Sequence, residues 1–176
     1  MLKIETERLE IVAEDLSLAR AGVEGREALA AGLSATVPND WPPEIMAGAT
    51  GYWVPHLEKN PDLVGWAVWH IIRKEDRILI GGAGFKGMPD AGRVDIGYAV
   101  LDAFQRRGYA TEAAGALIDW AFSDPRVDRI VGETLPHLSA SIRVMQRLGF
   151  ELVDKSTTGH GGEENVVRYV LNQSCV

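Results

Sequence analysis

The spacing of hydrophobic residues along this chain of 176 residues changes from helical to strand-like and back. A short apolar run at residues 9–12 predicts an opening strand, and leucines and alanines recur at helical spacing after Asp15. Residues 23–33 predict a second short helix, although the glycines in and beside it weaken that prediction. Residues 45–57 predict a third helix, so the first part of the chain is expected to be mainly helical.

The middle of the chain has the pattern of a β-meander. Residues 65–73, 78–85 and 94–100 are apolar, strand-like runs, and the segments between them are charged or contain glycine and proline. Strands joined by such short turns pair in antiparallel fashion. This region therefore predicts three consecutive antiparallel strands.

The last part of the chain alternates helices with strands. After a helical pattern that ends near Ser123, residues 127–135 predict a strand and residues 139–148 a helix. Residues 150–154 and 165–171 predict two final strands, with a glycine-containing loop at residues 160–164. A strand–helix–strand unit usually makes its strands parallel neighbours. We therefore expect a mixed α/β sheet in a single domain, antiparallel first and parallel in its centre.

Composition excludes several classes of protein. The net charge of −7 argues against a general nucleic-acid binder, which normally presents a basic face. No apolar run approaches 18 residues and the N-terminus has no signal-peptide pattern, so we expect a soluble, cytoplasmic protein with no membrane span. The single cysteine, Cys175, and four scattered histidines predict no disulfide framework and no metal site.

A glycine-containing loop joins the third strand of the meander to the following helix. Residues 105–110 read Gln-Arg-Arg-Gly-Tyr-Ala. A helix start offers unpaired backbone N–H groups and the positive end of the helix dipole, and Gly108 would let an anion approach the backbone closely. With Arg106 and Arg107 beside it, the loop predicts a pyrophosphate-binding site. An ordinary helix start with two solvated arginines is the alternative.

Two other stretches of the chain are candidate binding sites. Residues 82–87 match the letters of the dinucleotide-binding pattern G-x-G-x-x-G, but a proline turn and a strand follow them instead of a helix. Close packing within a sheet is the better interpretation of these glycines.

Residues 37–44 contain three prolines and cannot form regular structure. Within them, Trp41 is a candidate for lining a substrate pocket, and capping of the core is the alternative.

Residues 105–110 have the form Q/R-x-x-G-x-G/A and resemble the acetyl-CoA motif of the GNAT acyltransferases. Residues 95–98, Asp-Ile-Gly-Tyr, resemble the strand that precedes this motif. Residues 135–150 and the opening Thr-Glu-Arg-Leu at residues 6–9 resemble the ribosomal-protein N-acetyltransferase branch, which is RimJ/RimL-like. Together these stretches extend the resemblance over nearly the whole chain, and the derived order of strands and helices agrees with the GNAT fold.

The resemblance implies a binding site for acetyl-CoA between two parallel strands that splay apart. The pantetheine arm would complete the first of these strands, and the pyrophosphate would lie on the loop and helix start. The cofactor-binding residues implied are Tyr98, Ala99, Val100, Gln105, Arg106, Arg107, Gly108, Tyr109, Ala110 and Thr111.

The resemblance also implies attack of an amine on the acetyl thioester, which needs a base and a proton donor for the thiolate. Asp95 occupies the position of the family's base, and a surface role is its alternative. Ser141 is the candidate proton donor, and stabilisation of the first helical turn is compatible with that role. Leu138 and Met145 stand where many relatives have Asn and Tyr, and His137 is a weaker catalytic candidate.

The acceptor implied is a primary amine, either a small molecule or a protein N-terminus, and a homodimer is compatible with the sequence. Two other functions remain open. One is a non-catalytic regulatory module that binds acyl-CoA, which the missing Asn and Tyr would favour. The other is a different kind of phosphate- or nucleotide-binding domain, which the incomplete glycine motifs disfavour.

Overall fold

A computed structural model describes residues 1–157 and 165–173. The strands are β1 (Lys3–Glu5), β2 (Leu9–Ala13), β3 (Val68–Arg73), β4 (Ile78–Phe85), β5 (Arg93–Val100), β6 (Arg129–Thr134), β7 (Glu151–Thr157) and β8 (Val166–Asn172). The α-helices are α1 (Leu16–Glu24), α2 (Arg26–Leu33), α3 (Val54–Lys59), α4 (Tyr109–Phe122) and α5 (Ser139–Arg147). Short 3-10 helices span Glu44–Ala49, Pro61–Leu63 and Asp102–Phe104.

The strands form one sheet in the order β1-β2-β3-β4-β5-β6-β8-β7. Within the described residues, β5 and β6 pair in parallel and every other neighbouring pair of strands is antiparallel. This confirms the expected mixed α/β sheet, antiparallel first and parallel in its centre. The short edge strand β1 was not predicted, because its three residues show no apolar alternation.

Helices cover both faces of the sheet. On the first face, Leu18 of α1 and Leu29 of α2 pack in one buried cluster with Val12 and Leu79 of the sheet. On the second face, α4 and α5 pack over the strands in a larger buried cluster that includes Leu117. We call these the α1/α2 face and the α4/α5 face. No helix in the described part of the chain is long and apolar enough to cross a membrane.

The prediction of one helix over residues 45–57 is wrong. A 3-10 helix ends at Ala49 and α3 begins only at Val54. Gly51 between them has a φ of +79°, which interrupts any continuous helix. The second predicted helix begins at Arg26 instead of residue 23, because Gly25, with a φ of +142°, separates α1 from α2.

Two further sequence predictions are confirmed, and two others concern residues that the structure does not describe. The irregular segment 37–44 is confirmed up to Pro43, just before the 3-10 helix begins. The glycines of residues 82–87 lie in and just after β4, and a Cβ on Gly84 would collide with the carbonyl oxygen of Ala67, so close packing in the sheet is confirmed. The predicted loop at residues 160–164 and Cys175 lie outside the described residues.

Candidate functional site

The parallel strands β5 and β6 part halfway along their length. Their pairing runs from Arg93 opposite Arg129 to Ile96 opposite Gly132 and ends there. Beyond that point β5 follows β4 as far as Val100, whereas β6 follows β8 to its end. The two strands therefore leave an opening in the sheet, beside residues 97–100.

Backbone polar groups of β5 point into this opening. The carbonyl oxygen of Asp95 accepts from Lys86 N–H and the N–H of Leu101 donates to Ile80, so the odd-numbered residues bond toward β4. Because these directions alternate along a strand, Tyr98 and Val100 point their backbone groups toward the opening. Gln105 Nε2 donates to the Val100 carbonyl at 3.0 Å.

An extended ligand with amide groups can therefore pair with β5 as an added strand. Of the three strand residues named from the sequence, Tyr98 and Val100 offer backbone groups to such a ligand. Ala99 lies between them and bonds toward β4.

The loop after β5 ends in a helix start with free donors. Gly108 has a φ of +83° and Arg106 a φ of +61°, and this left-handed backbone turns the chain into α4. The first bond within α4 runs from Glu112 N–H to the Gly108 carbonyl, so the N–H groups of Tyr109, Ala110 and Thr111 have no partner inside the helix. Together with the helix dipole, these donors form an anion-binding site. The side chains of Arg106 and Arg107 are exposed beside it.

The N-terminal segment holds this loop in place through Glu112. The Glu112 carboxylate accepts from Thr6 Oγ1 at 2.6 Å, from the Arg8 backbone N–H at 2.9 Å and from Arg8 Nε at 2.7 Å. Arg8 also donates to the Arg107 carbonyl at 2.9 Å and lies 4.6 Å from the centre of the Tyr109 ring. These contacts form a clamp, in which the Thr-Glu-Arg-Leu segment at residues 6–9 holds the anion-binding loop in place.

The electrostatics of Glu112 follow from the same contacts. Burial raises the pKa of the Glu112 carboxyl, but the hydrogen bonds from Thr6 and Arg8 outweigh burial and leave the pKa below its usual range. Glu112 is thus a paired carboxylate at the anion site, and its negative charge is largely compensated by Arg8.

Tyr98 contributes more than its backbone. Its hydroxyl donates to the carbonyl oxygen of Ser141 at 3.0 Å and lies 3.4 Å from Ser141 Oγ. Burial raises the pKa of the Tyr98 phenol, so the hydroxyl keeps its proton across the neutral range. The structure therefore brings two hydroxyl groups together between the open half of β5 and the first turn of α5. The sequence reasoning named the two residues separately and missed their contact.

Met145 and Leu138 differ sharply in their surroundings. Met145 is buried, and its sulfur would meet a Cβ on Gly132 at 2.5 Å, so Met145 packs against β6 where the parallel pairing ends. Leu138 is exposed just before α5, and His137 is exposed beside it. Neither Met145 nor Leu138 has a polar side-chain atom that could replace the Asn and Tyr of relatives.

Asp95 lies on the α1/α2 face and is buried. Its two carboxylate oxygens accept from Arg93, at 2.6 Å from Nε and 2.8 Å from Nη2. The carboxylate raises the pKa of the Arg93 guanidinium. Taking up a proton would require this ion pair to open, so the role of Asp95 as a base remains a prediction.

Trp41 borders a cavity of about 130 Å³ on the α1/α2 face. Its ring centre lies 5.8 Å from that of His70, and Glu14 also lines the cavity. The sequence reasoning missed Glu14 and His70. A histidine inside the apolar strand pattern of residues 65–73 was the available signal, but its partner lies 56 residues away in sequence.

The described part of the chain contains no cluster of three or more His, Cys, Asp or Glu side chains that could hold a metal ion. The site consists of backbone donors at the opening and loop, the Tyr98–Ser141 contact, and polar groups on the α1/α2 face.

Comparison with known proteins gives consistent similarities. A family model described as an acetyltransferase (GNAT) domain matches residues 27–151. The uncharacterized N-acetyltransferase YjdG of Bacillus subtilis (strain 168) is 33% identical over 157 residues, which cover 89% of this chain and 94% of that protein.

Two solved structures share the fold. The ribosomal-protein-S5-alanine acetyltransferase from Vibrio fischeri has a TM-score of 0.65 at 19% identity, covering 98% of this chain and 97% of that one. RimL, a ribosomal L7/L12 alpha-N-protein acetyltransferase in complex with coenzyme A, has a TM-score of 0.66 at 21% identity, covering 97% and 98%.

Proposed function

The chain belongs to the GNAT acetyltransferase family, and we propose that it transfers the acetyl group of acetyl-CoA to a primary amine. The observation that supports this most strongly is the opening between β5 and β6, which lies beside a helix start with unpaired N–H groups. An extended amide chain ending in a diphosphate matches these two features together. A ligand without the amide chain would use only the helix start.

The residues present fit acetyl-CoA. The backbone groups of Tyr98 and the N–H of Val100 would pair with the amides of the pantetheine arm. The N–H groups of Tyr109, Ala110 and Thr111 would hold the diphosphate, with Arg106 or Arg107 adding charge. A Cβ at Gly108 would meet the Arg8 guanidinium at 3.4 Å, and the positive φ of this residue is one that glycine adopts without strain.

Acetyl-CoA supplies an acetyl group that is activated as a thioester. The protein must deprotonate the acceptor ammonium, polarise the carbonyl group and help the thiolate to leave. The Val100 N–H, which points into the opening, is the donor that we propose for the carbonyl oxygen. Backbone donors of this kind require no particular side chain, which suits a site built on a strand.

Tyr98 and Ser141 are the proton donors that we propose for the leaving thiolate. Their hydroxyl oxygens lie 3.4 Å apart, so a proton given up by one can be replaced through the other. Met145 occupies the position of the tyrosine found in many relatives and has no proton to donate. The phenol of Tyr98 therefore supplies the same chemical group from β5 instead of α5.

Asp95 is retained as a proposed base, on the strength of its position before the acetyl-CoA motif. Its pairing with Arg93 means that it would act only when that pair loosens, or through a water that contacts the carboxylate. Replacement by asparagine keeps the size of the side chain and removes the negative charge, which both the base and the ion pair with Arg93 require.

Thiol release from acetyl-CoA in the presence of a panel of primary amines tests the proposal, with calorimetry reporting acetyl-CoA binding separately. We expect amine-dependent release by the wild type and a strong decrease for Asp95→Asn and Ser141→Ala with binding retained. Binding without release for every amine would favour the non-catalytic module, the function suggested by Leu138 and Met145. Absence of both binding and release would contradict the proposed function.

A further inference from the structure

Two buried polar residues on the α1/α2 face have no role in the chemistry described above. Glu14, just after β2, is 8% exposed and His70 of β3 is 3% exposed. Glu14 Oε2 lies 3.1 Å from His70 Nε2. Buried ionisable groups destabilise a fold unless their hydrogen bonds are complete. Here they are incomplete, because His70 Nδ1 is buried without a hydrogen-bond partner among the described residues.

The tautomer of His70 follows from this contact. In the neutral imidazole, an Nε2–H that donates to the Glu14 carboxylate leaves Nδ1 with a lone pair and no proton. A carboxylate that orients an imidazole while its second nitrogen stays unprotonated is the arrangement of a proton-accepting pair.

Both members of the pair line the cavity beside Trp41, and its volume of about 130 Å³ is close to that of cavities that hold one small ring molecule. Arg26 of α2 is the other ionisable residue among those that line it, and it is exposed. The remaining lining residues are mostly small or apolar, and include Ala19, Gly22, Leu29, Pro42, Met46, Ala49 and Val68.

The floor of this cavity is a row of small sheet residues that runs toward the opening, and the Met46 side chain lies over its centre at Gly82. His70 is paired with Gly82 and Gly82 with Ala99, and cross-strand partners share one face of the sheet. In the neighbouring row of cross-strand partners, Gly84 is paired with Gly97. Because neighbouring strands lie about 4.8 Å apart, His70 and Ala99 are separated by roughly 10 Å. A Cβ at Gly97 would meet no atom within 4 Å, so the floor is open at β5.

We propose that this cavity and its floor form the acceptor site for a small primary amine, and that the Glu14–His70 pair takes the first proton of the acceptor ammonium through water, while Asp95 remains the base proposed for the proton that the nitrogen loses during its attack. The inference rests on the proposed function and names the acceptor side of the same site. The apolar body of the amine lies against Trp41 and Met46, and the negative charge of Glu14 attracts the ammonium group.

The proton balance closes without a further reactant. The ammonium loses one proton through water to the Glu14–His70 pair, and the free amine nitrogen forms its bond to the acetyl carbon while the carbon–sulfur bond breaks. The second proton lost by the nitrogen balances the proton taken up by the thiolate, and His70 returns its own proton to solvent. The products are the amide and free coenzyme A.

The first test compares Glu14→Gln and His70→Gln with the wild type on a panel of small primary amines and peptide N-termini. We expect kcat/KM for the amine to fall at least 100-fold at pH 7. The difference between variant and wild type should become smaller toward pH 10, because the amine then loses its proton without a base on the enzyme. The acetyl-CoA Kd should stay within twofold. His56→Gln is the matched control, because His56 is exposed and stacks on Tyr52 at 4.8 Å.

A second variant pair tests the cavity without touching its polar pair. Gly22 lines the cavity, and a Cβ there meets no atom within 4 Å, so Gly22→Leu fills space in the cavity and improves helix propensity. It should raise KM for the amine at least tenfold with an unchanged acetyl-CoA Kd. Gly48→Leu, an equally open but exposed position, should leave both constants unchanged.

Three results would overturn the inference while leaving acetyl-CoA binding intact. They are activity within threefold of wild type in Glu14→Gln and His70→Gln, acceleration by peptide N-termini alone, and an unchanged KM for the amine in Gly22→Leu. No acceleration by any amine would overturn the proposed acetyl transfer as well. Failure of the wild type to bind acetyl-CoA would overturn the proposed function as well, and the calorimetric titration distinguishes this case from the others.

Discussion

The hydroxyl of Tyr98 donates a hydrogen bond to the carbonyl oxygen of Ser141 across 3.0 Å. This contact joins the unpaired half of β5 to the first turn of α5, on the α4/α5 face of the sheet. It also places a protonated phenol and a serine hydroxyl in one cluster beside the proposed thioester site.

Removal of the phenol should slow acetyl transfer without weakening cofactor binding. Tyr98→Phe and Ser141→Ala are each expected to lower kcat at least tenfold, because proton donation by a positioned group contributes about 10²–10⁴ in rate. If the hydroxyls act as a unit, the double variant should be no slower than the slower single variant. Steady-state kinetics measure this, with Tyr52→Phe at an exposed position as the control.

The pH dependence of kcat provides a second check on Tyr98. Burial raises the pKa of its phenol above the usual value near 10. The donor form is therefore present at all lower pH values, and kcat should not fall between pH 8 and about 10 because of Tyr98. A loss of kcat in that range that disappears in Tyr98→Phe would contradict the assignment.

Gly108 should be required for binding of the diphosphate. Its φ of +83° makes an alanine side chain unfavourable by roughly 1–2 kcal/mol, and relief of this strain would turn the loop away from its anion-binding form. Gly108→Ala is expected to raise the coenzyme A Kd about tenfold in calorimetric titrations. Gly115→Ala, within α4, is the control and should leave the Kd unchanged while stabilising the helix.

Glu112 should stabilise the fold in a pH-dependent manner. Its pKa is lower in the folded protein than in the unfolded chain, so its contribution is present above about pH 4.5 and is lost as the pH falls through the folded pKa. Glu112→Gln should lower the free energy of unfolding by about 2 kcal/mol at pH 7.

The difference between wild type and Glu112→Gln should shrink below pH 4.5 in urea unfolding measured across pH. Glu27→Gln alters an exposed carboxylate in the first turn of α2 and serves as the control. An equal loss of stability for both variants, or a difference that is constant down to pH 3, would contradict the proposed clamp.

Introducing the family's tyrosine at position 145 should not increase activity. Met145 is 1% exposed and packs against Gly132, so the larger ring of Met145→Tyr overpacks the core and should destabilise the fold by about 1–3 kcal/mol. Met145→Leu, which conserves volume, should cost less than about 1.5 kcal/mol. Denaturant unfolding and kcat together test this, and a stable, faster Met145→Tyr enzyme would contradict the role given to Tyr98.

The sequence was sufficient for the order of the main strands and for the helix start at Gly108, because both depend on local patterns. Local alternation also places Arg93 and Asp95 on one face, although their ion pair was not anticipated. The helix predicted over residues 45–57 failed because the positive φ of Gly51 outweighed the apolar spacing.

The contacts that complete the site depend on tertiary structure. Tyr98 meets Ser141 over 43 residues and Glu14 meets His70 over 56 residues, and only the register of the sheet and the packing of α5 bring these groups together. The end of pairing at Gly132 is likewise a property of two strands, so only the family resemblance could suggest it before the structure was known.

Amide hydrogen exchange at Tyr98 and Val100 tests the central claim most directly, since these backbone groups face the opening and would pair with the cofactor. In the free protein, both amides should exchange faster than that of Ile96, which lies in the paired part of β5. Saturating coenzyme A should slow exchange at Tyr98 and Val100 and leave Ile96 nearly unchanged. Unchanged exchange at both residues under saturation, or protection confined to regions away from β5 and the start of α4, would contradict binding between the splayed strands.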